Sequence, residues 1–274
     1  MSILQKISKT TVVVSSSLIG LIVAAVPGEA ATFATSNSFF SFDNFSQIPD
    51  SVSSSTDTNT LSSGDGSVIT EAEASALFNR DPAFSLNETV SEALGSGSNY
   101  LGLAESEASV LGQFDIAANT SFSFTFAGFL DLFTSIDNPL SEQAQATAGI
   151  TFALLDEAAT VLSSFELFGV LNTPGEGDDL LVESTPELDW DIADAEFSSS
   201  ADGLEEQAFV AVFGSYSQQF TAHKQLTLVE LKLNEALVSE EPTVQTPEPG
   251  SLLALMSLGG VAWSLKTKRR AAEQ

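Results

Sequence analysis

The stretch that decides the fold is Ser121-Phe122-Ser123-Phe124-Thr125-Phe126, in which phenylalanine alternates with a small hydroxyl residue. Successive side chains of a β-strand point to opposite faces of a sheet, so this alternation places all three rings on one face. An α-helix would need apolar residues at intervals of three and four, and the chain sustains no such stripe. The stretch therefore predicts a strand with one buried and one polar face.

Similar patterns continue on both sides of that strand. Residues 100–116 alternate weakly before it, and residues 150–154 alternate after a turn at residues 137–139. Further candidate strands lie at residues 161–170, 180–183, 188–192, 208–213, 216–222 and 226–237. Short strands between polar turns predict a mainly β fold, an antiparallel β-sandwich of jelly-roll type that spans residues 71–241.

Two local features modify this prediction. Residues 71–78 are rich in alanine and glutamate behind Thr70, which predicts a short helix with a capped start. In the last candidate strand the apolar residues change phase between two sets, Leu226 and Leu228 and then Val229, Leu231 and Leu233. Such a phase change predicts a β-bulge.

The segment at residues 31–70 has a different composition. It begins with five phenylalanines, which predict a first strand, and then becomes rich in Ser, Thr, Asp and Gly over residues 51–66. A hydroxyl-rich run buries too little apolar surface to offset its chain entropy. We therefore expect residues 31–70 to be a partly disordered leader that includes a flexible linker.

The N-terminus has the three parts of a secretory signal peptide. Lys6 and Lys9 precede an apolar stretch at residues 11–26, and small residues lead to a cleavage site after Ala30. The alternative is an uncleaved anchor, but about 16 residues make a helix of roughly 24 Å, shorter than a hydrocarbon core of about 30 Å. Residues 1–30 are thus expected to be read by the Sec translocon and removed by signal peptidase.

The C-terminus carries a second targeting pattern. A Pro247-Glu248-Pro249 box precedes an apolar run at residues 251–265, which predicts a single hydrophobic helix. The run is followed by the basic residues Lys266, Lys268, Arg269 and Arg270. Basic residues after a terminal apolar helix stop transfer and hold that end in the cytoplasm, which leaves the body of the chain outside.

This tail, residues 242–274, resembles the PEP-CTERM sorting signal of exopolysaccharide-producing Gram-negative bacteria and cyanobacteria. The resemblance implies recognition by exosortase, a membrane protease or transpeptidase that releases or transfers the protein near the box. It implies a membrane intermediate followed by delivery to the cell surface or the extracellular space. The alternative is an ordinary tail anchor that keeps the protein permanently in the membrane. The resemblance covers the tail only and carries no function over to the body.

Charge divides the chain in the same way. Six of the nine basic residues lie in the two targeting segments, and residues 31–247 keep only Arg80, Lys224 and Lys232 against 34 acidic residues, a net charge of −31. That charge repels phosphate backbones, so nucleic acid is excluded as a partner. A solvated acidic surface is one interpretation, and calcium bridging to an acidic polysaccharide is the other. The absence of cysteine excludes disulfides and thiolate metal sites.

The sequence contains no catalytic motif that we can identify, and we expect a non-enzymatic protein without a cofactor. The single histidine, His223, falls in a candidate strand without a nucleophile elbow. Glu166, Asp189 and Asp191 lie beside aromatic residues and could form a glycosidase pair. The acidic stretch at residues 178–196 is a weak candidate for calcium.

These observations predict an exported, exosortase-processed protein of the cell surface or extracellular matrix. Its expected role is structural or adhesive, in association with exopolysaccharide or biofilm. Two alternatives stay open: a secreted carbohydrate-active enzyme on the same β-sandwich, and a permanently membrane-anchored surface protein.

Overall fold

The structure is a computed structural model that describes residues 31–175, 177–200 and 203–240. These residues form twelve β-strands, and none of them forms a helix that is long and apolar enough to span a membrane. The strands are β1 (Ala31–Asp43), β2 (Ser51–Gly64), β3 (Ser67–Asn79), β4 (Phe84–Ser96), β5 (Tyr100–Ile116), β6 (Thr120–Ser135), β7 (Glu142–Asp156), β8 (Val161–Thr173), β9 (Asp179–Ser184), β10 (Leu188–Ser199), β11 (Glu205–Phe220) and β12 (Lys224–Glu240).

The strands form two antiparallel six-stranded sheets, sheet A in the order β10-β11-β6-β1-β4-β3 and sheet B in the order β2-β5-β12-β7-β8-β9. The sheets face each other, with β4 and β1 of sheet A against β12 of sheet B. The prediction of a mainly β fold with antiparallel sheets packed face to face is therefore confirmed. Its twelve strands differ from the eight of a jelly roll.

The alternating phenylalanines of β6 point into the space between the sheets, as the sequence predicts. Phe122, Phe124 and Phe126 are 0%, 1% and 3% exposed. Their rings join a cluster with Phe152 of β7, whose centroid lies 5.1 Å from that of Phe126. Aromatic rings at such separations contribute beyond the area that they bury, so this cluster anchors one end of the sandwich.

The predicted linker is a strand. Ser51–Gly64 forms β2, which pairs with β5 over the whole of its length, from Ser51 opposite Gln113 to Gly64 opposite Tyr100. Nearly all of its side chains are exposed, so burial does not hold it in place. Its backbone hydrogen bonds to β5 hold it in place. The Phe-rich segment before it forms β1, as predicted. Both strands belong to the sandwich.

The predicted helix at residues 71–78 is also a strand. It lies within β3, which pairs with β4 from Ser67 opposite Ser96 to Asn79 opposite Phe84. Its side chains alternate between exposed and partly buried positions, and the alanines at positions 72, 74 and 76 take the inner side. The helical propensity of alanine and glutamate is weak compared with a complete ladder of backbone hydrogen bonds.

The bulge predicted in the last strand is absent from β12 as the structure describes it. Pairing with β7 runs without a shift from Leu226 opposite Asp156 to Glu240 opposite Glu142. The inward face that starts at Leu226 and Leu228 continues through Glu230, Lys232 and Asn234. The change of phase therefore reflects polar residues that enter the core while apolar residues turn outward. The predicted C-terminal helix lies outside the described residues.

Candidate functional site

The predicted processing and sorting residues lie outside the described residues; they are Ala30, Pro247, Glu248, Pro249, Lys266, Lys268, Arg269 and Arg270. The two ends of the described body lie close together. The backbone N–H of Ala31 donates to Asp137 at 2.8 Å, and Glu142 accepts from the N–H of Asp137 at 2.8 Å. Glu142 is in turn the register partner of Glu240. The body therefore begins and ends at one end of the sandwich.

The structure separates the acidic residues that the sequence proposes as a glycosidase pair. Glu166 is on the outer face of β8 in sheet B, whereas Asp189 and Asp191 are exposed on β10 in sheet A. Trp190 between them packs inward, with its ring 5.6 Å from that of Phe165 in an edge contact. The aromatic neighbours thus belong to the core, and these carboxylates do not converge.

The other acidic candidates also lack a common centre. Asp178 accepts a hydrogen bond from the backbone N–H of Asn172 at 2.8 Å and so closes the loop before β9. In the described ranges there is no group of three or more His, Cys, Asp or Glu residues that could hold a metal ion. His223 lies in the turn between β11 and β12, not in a strand, and its exposed ring contacts Asp115.

A depression of about 420 Å³ at the other end of the sandwich is lined by three further carboxylates, Asp50, Asp156 and Glu157. Asp156 caps the turn after β7 by accepting from the N–H groups of Ala158 and Thr160, both at 2.9 Å. Although burial acts in the opposite direction, these bonds and Lys224 keep the pKa of Asp156 below its ordinary value. Glu157 pairs with Lys224 at 3.0 Å. Carboxylates held in the ionised form are unsuited to general-acid chemistry.

The most unusual constellation lies inside the sandwich, between the phenylalanine cluster and a smaller apolar cluster around Tyr100 and Val238. Here the residues that face inward are polar. We call this set the polar layer, and it consists of Ser36, Ser38, Asn87, Thr89, Ser91, Ser106, Glu230, Lys232 and Asn234. A buried polar group costs free energy unless it is hydrogen-bonded, so each member needs a partner.

Lys232 connects the two sheets at the centre of the polar layer. Its side chain is 0% exposed, and Nζ donates to the backbone carbonyls of Ser38 at 2.7 Å and Asn87 at 2.6 Å. Both acceptors are in sheet A, whereas Lys232 is in sheet B. Burial lowers the pKa of the Lys232 ammonium to about 7, although Glu230 and Glu88 act in the opposite direction. A neutral amine is therefore accessible at neutral pH.

Glu230 is two positions before Lys232 on the same inward face. It is 0% exposed, and its Oε2 accepts from Asn87 Nδ2 at 2.8 Å. Burial raises the pKa of the Glu230 carboxyl to about 7, against the effects of Lys232 and of the Asn87 hydrogen bond. The low-polarity surroundings thus favour the neutral carboxylic acid together with the neutral amine.

The remaining members of the polar layer are well satisfied. Asn234 Oδ1 accepts from Ser38 Oγ at 2.7 Å and from Thr89 Oγ1 at 2.9 Å, and Ser91 pairs with Ser106 at 2.8 Å. By contrast, Glu230 Oε1 and the side-chain Oδ1 of Asn87 are buried without a hydrogen-bond partner. The two unsatisfied oxygens belong to residues that contact each other.

Sequence reasoning missed the polar layer because Glu230, Lys232 and Asn234 alternate with apolar residues, as they would on a solvent-facing side. One signal could have found it. Lys232 is one of only three basic residues between positions 31 and 247, and its neighbours on both sides are leucines. A rare cation between two leucines in a polyanion is a candidate for a specific role.

Comparison with known proteins finds a match in the tail of the chain. The model of the PEP-CTERM protein-sorting motif matches residues 245–270. No curated protein and no solved structure matches the chain. The motif implies export to the cell envelope or surface with exosortase as the processing partner. The chain therefore carries a PEP-CTERM sorting motif at residues 245–270, and the match does not describe the body.

Proposed function

We propose that the mature chain is a structural or adhesive component of the cell surface or extracellular matrix, associated with exopolysaccharide or biofilm. The observation that carries this proposal is the match of residues 245–270 to the sorting motif. After passage through the Sec translocon and removal of residues 1–30, the chain is held at the inner membrane by its tail. Exosortase then releases it or transfers it to the surface.

The charge and shape of the body support a matrix role. The described part forms a two-layer sandwich, and its net charge of −31 over residues 31–247 keeps it soluble and repels copies of itself. Of its basic residues Arg80 and Lys224 reach the surface, whereas Lys232 is buried. Binding to an acidic polysaccharide therefore depends on divalent cations such as calcium that bridge carboxylates on both partners.

The rival proposal, a secreted carbohydrate-active enzyme, has less support. A glycosidase needs two carboxyl groups that face one another across a substrate. Glu166 and the Asp189–Asp191 pair lie on opposite outer faces of the sandwich. The carboxylate of Asp156 is hydrogen-bonded to the backbone of the turn that follows β7. The other alternative, a permanently anchored surface protein, would have the same body as the proposed matrix protein. The two differ only in whether the tail is retained or removed.

The delivery step is tested by mass and fractionation in a host that has exosortase. The wild-type chain should appear at the surface or outside, with an intact mass that shows loss of residues 1–30 and of the tail near Pro247. A Glu248→Ala variant should remain in the inner membrane with its tail intact. Glu273→Gln lies beyond the matched residues and is the matched control, which should behave as wild type.

The adhesive step is tested on the purified mature chain with the host's exopolysaccharide. Binding should occur with calcium and disappear on chelation. The proposal would be refuted by full-length protein in the cytosol. It would also be refuted if the mature chain did not bind the polysaccharide either with or without calcium. Hydrolysis of the polysaccharide would favour the enzyme instead.

A further inference from the structure

Three residues of the polar layer that interact in the interior form a set with complementary reactivity. Lys232 of sheet B carries an amine, Asn87 of sheet A carries a carboxamide, and Glu230 carries a carboxyl group bonded to that carboxamide. We infer that Lys232 and Asn87 become joined by an intramolecular isopeptide bond between Nζ and Cγ, with Glu230 as the catalytic proton-transfer group. The bond would join the two sheets covalently.

The position of the Lys232 amine is the first observation that supports the reaction. The Lys232 amine is bound to Asn87 itself: Nζ donates to the backbone carbonyl oxygen of Asn87 at 2.6 Å, and the carboxamide that it must attack belongs to the same residue. A neutral amine has two N–H groups, and both are used by the carbonyls of Ser38 and Asn87. Its lone pair is therefore not engaged by a donor. When Nζ turns from this carbonyl towards the carboxamide of the same residue it meets Cγ, and reactants kept this close have a high effective concentration.

The protonation states of Lys232 and Glu230 are the second observation that supports the reaction. An ammonium ion has no lone pair, so attack requires the neutral amine that burial favours at Lys232. The carboxamide is a poor electrophile until its oxygen or nitrogen receives a proton. Glu230 contacts Asn87 Nδ2 at 2.8 Å, and burial keeps its carboxyl group in the protonated form up to about pH 7. It is thus placed to act as general acid and then as base.

The reaction balances without an oxidant or co-reactant. Lys232 Nζ attacks Asn87 Cγ while the carboxyl group of Glu230 gives its proton to the departing Nδ2, which it contacts, and the proton that Nζ releases returns to the Glu230 carboxylate. The Nζ–Cγ bond forms, the Cγ–Nδ2 bond breaks, and ammonia leaves. The carboxyl group of Glu230 ends in its original protonated state.

The unsatisfied atoms distinguish this set from an ordinary buried ion pair. Glu230 Oε1 and Asn87 Oδ1 are two of the seven buried side-chain oxygens of the described residues that have no hydrogen-bond partner, whereas Asn234 Oδ1 on the same face accepts two hydrogen bonds. Orphaned polar atoms of this kind are rare in native interiors and call for an explanation. The amide product removes one buried amine and one buried NH₂ group. In a chain without cysteine, it also supplies a covalent link that a disulfide cannot.

Digestion of the purified wild-type chain tests the inference directly. Trypsin cleaves after free lysine, so an unlinked chain yields a peptide of residues 225–232, and a linked chain does not. A glutamate-specific protease should yield residues 74–88 joined to residues 231–235, lighter by one ammonia than the sum of the two. Unlinked peptides in full yield would overturn the inference even if no variant folds. Loss of water between Glu230 and Lys232 would overturn it as well.

Variants then test the role of Glu230. Glu230→Gln preserves size but cannot donate the same proton, and the link should form at least about a hundredfold more slowly. Asn87→Ala should abolish it, and both variants should release the tryptic peptide of residues 225–232. Glu235→Gln is the matched control, since Glu235 is also a buried glutamate of β12 but its side chain is on the opposite face of the strand from Glu230. Equal linkage in Glu230→Gln and wild type would refute the catalytic role.

Discussion

Replacing Glu235 by glutamine is expected to stabilise the protein at neutral pH. Glu235 lies on the outer face of β12, yet it is only 7% exposed, and its register partner on β5 is another acid, Glu105. Burial, reinforced by Glu105, raises the pKa of Glu235 from 4.5 to about 7. A difference of that size between the folded and unfolded states corresponds to about 3 kcal/mol.

The sign follows from proton uptake. Because the folded state holds this proton more tightly, the stability that Glu235 contributes is complete below its unfolded pKa of 4.5 and is lost as the pH rises towards 7. Glutamine resembles the protonated acid and cannot ionise. The variant should match wild type near about pH 4 and exceed it by about 3 kcal/mol near about pH 8.

Urea unfolding followed by circular dichroism at several pH values measures this difference. The matched control is Glu107→Gln, which removes an exposed charge from the same face of β5. A gain for Glu235→Gln that does not change with pH, or an equal gain for the control, would show that relief of general charge repulsion is the cause. Either result would refute the reasoning.

Two further predictions concern packing. Phe152→Ala should lower the free energy of unfolding by about 3 to 5 kcal/mol, because its buried ring lies 5.7 Å from that of Phe40. Phe213→Ala, at a side chain that is 51% exposed, should cost about 0.5 kcal/mol, and equal losses in urea would contradict the assigned core. Gly128→Ala should destabilise by about 1 to 3 kcal/mol, because a Cβ there would lie 2.4 Å from Phe40 Cδ2. Gly175→Ala, with its nearest atom at 3.4 Å, should leave Tm nearly unchanged, and equal falls in Tm for both would count against the close approach at Gly128.

Strands that bury one face could be predicted from the sequence. In β6 the burial of Phe122, Phe124 and Phe126 is encoded by the alternation itself, because no other conformation places all three on one side. The edge strand β2 could not be predicted in this way. It exposes nearly all of its side chains, so only its backbone pairing with β5 specifies it. In β3 the alternation of Glu71, Glu73 and Ser75 with alanines is a period-two signal, but alanine and glutamate are strong helix formers, so propensity alone predicts a helix.

The polar layer shows a different limit. Hydropathy assigns polar residues to the outside of a sandwich. In β12 this rule predicts a bulge, whereas the observed register is continuous. The inward position of Lys232 is decided by partners on β1 and β4, which are 194 and 145 residues away in the sequence. By contrast, the PEP-CTERM motif is a linear pattern, so the sequence alone was sufficient to recognise it.

The placement of β12 has a mechanical consequence. Any tether through the tail pulls on Glu240, and this strand lies in the middle of sheet B with β5 on one side and β7 on the other. Force along the strand must shear two ladders at once, because the pairing with β5 and with β7 covers nearly the whole of its length. A chain tethered through its tail would thus be loaded at β12, a central strand of sheet B that two neighbouring strands hold against extraction.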